Sequence, residues 1–319
     1  MLVHEPRQPS KLRGAHFFSR AIVMRSTFFF AIALLSSTAA AHDHWLVPSV
    51  AAPDAPMQID LRMEVGERLV PEEEKPFERR RIGQAMVLHG SEVRDVESAD
   101  GAKPFLRVNV ERGENLVAVE RLPATIELPA REFEDYLREE GLDAIIAERA
   151  RRGESDRVGR EKYGRSIKLL VRVGGVADGT YARELGEPIE ILPREDPSLL
   201  APGATLHVVV KFRGAPLAGV RVDALRAADG KTHAVSARTD ASGVAALPID
   251  ADASWLVRLV HMERCTTCES SDWQSYWASY AFSNDAPPRP NRGKRIAAIV
   301  VVLVLALAGV VVARELRQV

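Results

Sequence analysis

The sequence predicts a mainly β protein. It reads as a β-rich N-terminal domain with a short helical insertion, an immunoglobulin-like β-sandwich, and a single transmembrane helix. Three observations carry this reading. Most of residues 42–284 alternates apolar and polar side chains in short runs bounded by Gly, Pro, Asn and Asp, as half-buried strands do. One stretch, about residues 130–152, changes to three- and four-residue spacing, which is helical. Two long apolar stretches sit near the ends of the chain, outside the alternating part.

The first apolar stretch lies in residues 24–41, "MRSTFFFAIALLSSTAAA". Arg25 supplies a basic start, Phe28 to Leu35 an apolar centre, and Ala39 and Ala41 the small residues of a cleavage site, so a signal peptide is expected here. Met24 is then the favoured biological start, with residues 1–23 a non-native extension; a start at Met1 is the alternative. Cleavage after Ala41 leaves His42 first, and cleavage after Ala40 leaves Ala41 first.

From residue 42 to 194 the β-rich domain is expected. "MQIDLRMEVG" alternates about Ile59, Leu61 and Met63, and "PFLRVNVERGENLVAVERL" reads as two strands joined in a hairpin at "ERGEN". In "PAREFEDYLREEGLDAIIAERARRG" the residues Phe133, Tyr136, Leu137, Ile145 and Ile146 make an apolar stripe. Gly141 divides it into two short helices and Gly153 ends the second. "SIKLLVRVG" returns to strand. Pro193, Pro197 and Pro202 mark a boundary, and residues 198–284 then alternate short strands with the turn signals "RGAPLAG", "AADGK", "TDASG" and "DADAS", the spacing of an immunoglobulin-like sandwich. Residues 285–295 form a Pro-rich stalk. Ile296 to Ala313 carries no charge and is long enough for a thin transmembrane helix, leaving residues 314–319 as a cytoplasmic tail. The flanking charges mildly favour the opposite topology, but a signal peptide that translocates first places the bulk of the chain in the periplasm or extracellular space.

Composition narrows the function. Lys plus Arg number 43, Asp plus Glu 44, and the net charge is −1, so no basic footprint for nucleic acid exists. No phosphate loop, H-E-x-x-H or G-x-S-x-G motif occurs, and an enzyme is not expected. Glu139 and Glu140 read as a helix surface. Glu161, Tyr163, Arg165 and Lys168 in "REKYGRSIKLL" read as an ion-paired or docking surface.

The stretches "AHDHWLVPS", "FEDYLREEGL", "REKYGRSIKLLVRVG", "GAPLAGVRV…TDASGVA" and "DWQSYWASYAF", in that order from His42 to about Phe282, resemble a bacterial periplasmic domain-of-unknown-function family described as a component of cobalt or nickel ABC-type uptake systems. The resemblance implies an exported β-rich domain linked to divalent transition metals, in a family where a C-terminal membrane anchor occurs. "CTTC" has no place in that pattern.

The candidate chemistry is metal binding, with Ni, Co or Cu as the ion. A terminal His42-Asp43-His44 offers an α-amine, two backbone amides and a third-position imidazole, a square-planar nitrogen set that Cu(II) and Ni(II) favour. A first-position histidine also allows its amine and imidazole to chelate together while another histidine completes the site. Against this, "HWLVP" begins a strand whose amides a ladder would use. His261 shares a strand face with Trp255, Val257 and Leu259 and is a further candidate ligand, provided it approaches His42 or His44. His89, His207 and His233 are isolated. Cys265 and Cys268 lack the second pair a zinc ribbon needs. A short-loop disulfide is the favoured reading, with metal binding by the reduced pair and a redox centre as alternatives.

The expected function is therefore an exported, membrane-anchored metal-binding protein that assists uptake or buffers the ion, with a membrane transporter as partner. The rival is a cell-envelope interaction module that binds a protein or glycan through Trp273, Tyr276, Trp277 and Tyr280. Convergent histidines favour the first; scattered histidines with exposed aromatics favour the second.

Overall fold

The computed structural model describes residues 42–174 and 177–285. The expected signal peptide, the stalk from residue 286, the transmembrane helix and the tail lie outside them. Among the described residues no helix is long and apolar enough to cross a membrane.

In chain order the strands are β1 Asp43–Pro48, β2 Met57–Glu67, β3 Val70–Lys75, β4 Ile82–His89, β5 Glu92–Asp95, β6 Leu106–Val110 and β7 Gly113–Leu128. Two helices follow, α1 Ala130–Glu139 and α2 Asp143–Arg151. Then come β8 Gly159–Val173, β9 Ile189–Pro193, β10 Ala204–Phe212, β11 Ala215–Pro216, β12 Arg221–Ala228, β13 Lys231–Arg238, β14 Val244–Ile249, β15 Ser254–Arg264 and β16 Trp273–Ser283. An eight-stranded sheet in the order β13-β12-β15-β16-β8-β7-β4-β5 forms the middle layer. One four-stranded sheet gathers β1, β3 and β6 around β2, and another gathers β9, β11 and β14 around β10.

Strand alternation explains why the middle sheet is covered on both sides. Along β15, Trp255, Val257 and Leu259 enter the core shared with β10 and β14, which holds Leu206, Val208 and Leu247. Leu256 enters the core shared with β1, β2 and β6, which holds Leu46, Leu61, Met63 and Val108. Further along the same face, Val260 and Met262 meet the helices through Phe133, Tyr136, Leu137 and Ile145. A strand buried on both faces reads as a nearly continuous apolar run, and "WLVRLV" is one.

The helical insertion has the expected form. Gly141 at φ +68° and Gly153 at φ +65° end the two helices in the left-handed region, where glycine carries no Cβ penalty. The ring of Phe133 lies over Gly159, so close that a Cβ there would sit 2.1 Å from a ring carbon.

Two expectations are corrected. The first is the hairpin at "ERGEN". β6 pairs with β2, whereas β7 pairs with β4 and β8, so the segment carries the chain from one sheet to another. Asn115 makes the turn: its Oδ1 accepts from the Glu111 N–H at 2.9 Å and its Nδ2 donates to the Glu111 carbonyl at 2.8 Å. The second is the division into domains 42–194 and 198–284. β9, β10, β11 and β14 do pack face to face on β12, β13, β15 and β16, as a sandwich requires. But β16 pairs in parallel with β8, from Trp273↔Glu161 to Ala281↔Leu169, and continues the sheet into β7, β4 and β5. All described residues fall in one compact unit, because the "second" sandwich shares its larger sheet with the first half of the chain.

Candidate functional site at the start of strand β1

β1 lies along one edge of β2, with Asp43 opposite Gly66, His44 opposite Val65 and Leu46 opposite Met63. Cross-strand partners share a face, and Val65 and Met63 are buried, so His44 and Leu46 point into the layer against the large sheet. Two bonds tie the β1 backbone to that sheet. Arg165 of β8 donates from Nη2 to the His42 carbonyl at 2.9 Å, and the Ser279 hydroxyl of β16 donates to the His44 carbonyl at 2.9 Å.

The three residues of His-Asp-His have separate fates. His42 is 24% exposed, and its Nε2 lies 3.3 Å from Glu72 Oε2 on β3. Its Nδ1, the nitrogen nearer the main chain, is the one that a histidine's own amine can join in a chelate ring. His44 is half-buried, and its Nδ1 is shielded from solvent with no hydrogen-bond partner. Burial holds its pKa well below the usual imidazole value, helped by the charges of Arg165, Arg121 and Lys75, so the ring is neutral.

Asp43 is committed to the interior. Its carboxylate lies 2.5 Å from Arg258 Nε, while Arg258 Nη2 donates to Glu140 Oε2 at 2.5 Å and Nη1 to Asp223 Oδ2 at 3.4 Å. One guanidinium on β15 thus joins the N-terminal strand, the end of α1 and β12. Burial raises the Asp43 pKa and pushes Glu140 up to about 7, each against the pull of Arg258. Burial opposes the charge of Arg258 itself, but Asp43, Glu140 and Asp223 outweigh it and hold the guanidinium above its usual range. The β2–β3 turn is locked to the same point. Arg68 and Leu69 adopt φ +49° and +63°, a conformation costly for residues with a Cβ. The Arg68 amide faces the Asp43 carboxylate, and Thr232 donates to the Arg68 carbonyl at 2.5 Å.

Beside this hub lies a second polar group. Glu161 accepts from Tyr136 at 3.2 Å and from Ser275, and burial pushes its carboxyl up to about 7. The Arg165 guanidinium stands 4.7 Å over the Tyr163 ring and 5.0 Å over Trp277, and burial brings it down to about 10. Its Nε is buried without a partner, as is Nη1 of Arg121. Arg165, His44, Ser279 and Trp277 line a cavity of about 10 Å³.

The sequence reading and the structure part at several residues. His261 faces away from β1: its ring meets Phe212 edge-on at 4.5 Å, on the side of the large sheet covered by β10. Alternation along β15 puts it there, so it does not join His42 or His44. Among the described residues no cluster of three or more His, Cys, Asp or Glu side chains is arranged to hold a metal ion. Cys265 and Cys268 form a disulfide at the β15–β16 turn. Trp273, Tyr276, Trp277 and Tyr280 are all buried, distributed between the two faces of β16 rather than displayed. Glu140 is turned inward, not to the helix surface. Lys168 is 2% exposed and donates to Glu190 Oε2 at 2.5 Å.

Glu72 and Arg258 were not singled out from the sequence. For Arg258 a signal existed, since a lone charge inside "WLVRLVHM" occupies a core position and needs buried partners. Glu72 sits in the acidic run "EEE" of an exposed edge strand, and nothing separates it from its neighbours.

The family model for Domain of unknown function (DUF4198) matches residues 39–263, and the chain belongs to that family. No curated protein matches the chain.

Proposed function

We propose that this member of the DUF4198 family is an exported, membrane-anchored binder of a divalent transition metal, with Ni(II), Co(II) and Cu(II) as the candidate ions, which buffers the ion or passes it to a membrane uptake system. The binding element is the α-amine of a processed His42 together with its own Nδ1. The observation that carries this reading is the position of Glu72. A carboxylate on Nε2 fixes the ring and leaves Nδ1 free to ligate, the arrangement in which metal-bound histidines are commonly held.

Strand pairing selects this mode over the planar four-nitrogen set. That set takes the amides of Asp43 and His44, and the Asp43 amide, opposite Gly66, belongs to the ladder between β1 and β2. A chelate confined to His42 leaves the ladder intact. His44, neutral and turned inward, is then a wall of the site, and His261 has no part in it.

The test is calorimetric titration with Ni(II) and Cu(II) of the full chain, exported, purified in detergent and verified by mass to begin at His42. One extra alanine before His42 is expected to abolish tight binding, and Glu72→Gln to weaken it about 10–100-fold. Tight binding that survives the added alanine would move the site to side chains alone. No binding in the unextended chain would leave the metal reading without support.

A further inference from the structure

We propose that the edge of β15 beside residues 260–264 is a docking site for an extended peptide segment of another protein, uncharged over the stretch that pairs and added to the large sheet as a strand. The inference is independent of the metal reading and rests on other residues.

The large sheet has a gap at this point. β12 pairs with β15 only from Asp223↔Arg258 to Arg226↔Trp255, whereas β16 follows the other side of β15 as far as Arg264. The chain ahead of β12 is held elsewhere. The Leu217 N–H donates to the Val210 carbonyl of β10 at 2.9 Å, and the Gly219 N–H donates to the Thr239 carbonyl at 2.9 Å. Backbone groups of an antiparallel strand point alternately to its two sides, and two bonds fix the phase here. Asn284 donates to the Ala253 carbonyl at 3.2 Å and Cys265 to the Asp272 carbonyl at 2.9 Å, so the odd-numbered residues of β15 bond toward β16. Val260, Met262 and Arg264 therefore direct their N–H and C=O groups to the opposite side, where no described strand pairs beyond Arg258.

A cleft of about 200 Å³ borders Val260, His261 and Met262 at that edge, many times the roughly 10–15 Å³ that one water needs. Leu142 and Ile145 wall it on the helix side and Leu217 on the side of β10, so a strand in the gap meets apolar side chains on both faces. Exposed edges are commonly blunted by charge or proline, and Val260-His261-Met262 carries neither. Unpaired backbone groups at every second residue suit an extended main chain, which offers donors and acceptors at the same repeat. Charge then sets the chemistry of the segment. The arginines of the cleft are already matched, Arg221 to Asp223 and Arg238 to Asp143. Arg264 at the far end is matched as well, to Glu148 and Glu154. An uncharged segment keeps that balance, whereas a charged one arrives without a counter-ion.

Hydrogen exchange of the full chain in detergent tests the inference, with a capped heptapeptide of alternating valine and threonine as the probe. Without peptide, the Val260 and Met262 amides are expected to exchange at least about tenfold faster than those of Leu259 and His261, which bond to β16. With peptide at about 1 mM, the weak end of binding, they are expected to slow to match. Methylating alternate main-chain nitrogens of the peptide is expected to abolish the effect in one of the two phases. Ala218 and Ala144 are exposed residues on the cleft wall. Ala218→Trp and Ala144→Trp, each filling the cleft, are expected to weaken peptide binding at least about tenfold, or about 1.4 kcal/mol, with melting curves reporting that they fold. No slowing at that concentration overturns the inference, as does unchanged binding in both filled variants. Equal binding of both methylated peptides also overturns it, because the cleft then takes side chains alone. Protection of Met262 in the free chain overturns it too, and sedimentation then tells whether a second copy covers the edge or the chain itself does.

Discussion

Replacing Arg258 with leucine tests whether the fold is organised as described, because this one side chain holds three buried acids. Asp43, Glu140 and Asp223 each lose their counter-charge, and removing one partner of a buried ion pair costs about 3–5 kcal/mol. The described part exceeds 200 residues, a size at which 1 kcal/mol moves Tm by about 2–4 °C. A fall of roughly 6–20 °C at pH 8 is therefore expected. Release of Asp43 also frees β1 and the Arg68–Leu69 turn, so backbone amides of residues 43–48 should lose hydrogen-exchange protection first.

The pH dependence makes the argument sharper. In the parent chain Glu140 titrates at about 7 when folded, against an ordinary 4.5. The folded state thus binds the extra proton between those values, and stability falls as pH rises through the window. Arg258 is what restrains that pKa, so its loss raises the folded value further and carries the fall to higher pH. At pH 5 Asp43 and Glu140 can take protons in the variant, and its deficit should shrink. Scanning calorimetry at pH 5 and pH 8 reads both effects. A Tm change under about 2 °C at pH 8, or a deficit equal at the two pH values, would refute the hub.

Three further outcomes are expected. Gly159→Ala forces a Cβ into the Phe133 ring and should cost about 1–3 kcal/mol through overpacking, seen as a lower urea midpoint with α1 losing protection. Replacing Cys265 and Cys268 together by serine opens a loop of only four residues, for which chain entropy gives at most about 2 kcal/mol; a Tm loss above about 8 °C would mean that the turn does more than close a hairpin. Glu114 is buried, with one unpartnered oxygen, and burial together with nearby Asp196 raises its pKa well above the carboxylate range. Its contribution to stability therefore declines as pH rises above its unfolded value, and Glu114→Gln should flatten the loss of Tm between pH 5 and 9, whereas parallel profiles would show that Glu114 does not titrate there.

Much of the fold follows from periodicity, and the exceptions show what periodicity omits. The stripe Phe133, Tyr136, Leu137 and Ile145 identifies α1, α2 and their buried face, because a helix against a sheet needs only local spacing. Alternation in β15 likewise assigns each residue to a face. Neither tells which sheet a face will meet. β6 and the start of β7 look like a hairpin because they read as two alternating runs joined by a turn, yet Asn115 and Gly113 redirect the chain. The parallel joint between β8 and β16 links Glu161 to Trp273 across 112 positions, and no local signal marks such a pairing.

The candidate site was half legible for a related reason. Positions 161, 163, 165, 167, 169 and 171 of β8 lie on one face. Ile167, Leu169 and Val171 announce burial by their chemistry, while Glu161, Tyr163 and Arg165 suggest solvent. In the folded chain that face is covered by β1 and its sheet at one part and by α1 at the other, with Glu161 buried and Tyr163 and Arg165 half-buried. In the polar half, burial of charge has to be matched. Glu161 meets this with two hydroxyl donors, and Arg258 with three acids. Arg165 rests on aromatic rings and a backbone carbonyl at the residue expected to become the N-terminus, and among the described residues it has no acid of its own. The same physics that makes Arg258, fully enclosed, depend on three acids lets Arg165 do without one, because Arg165 keeps part of its surface in solvent.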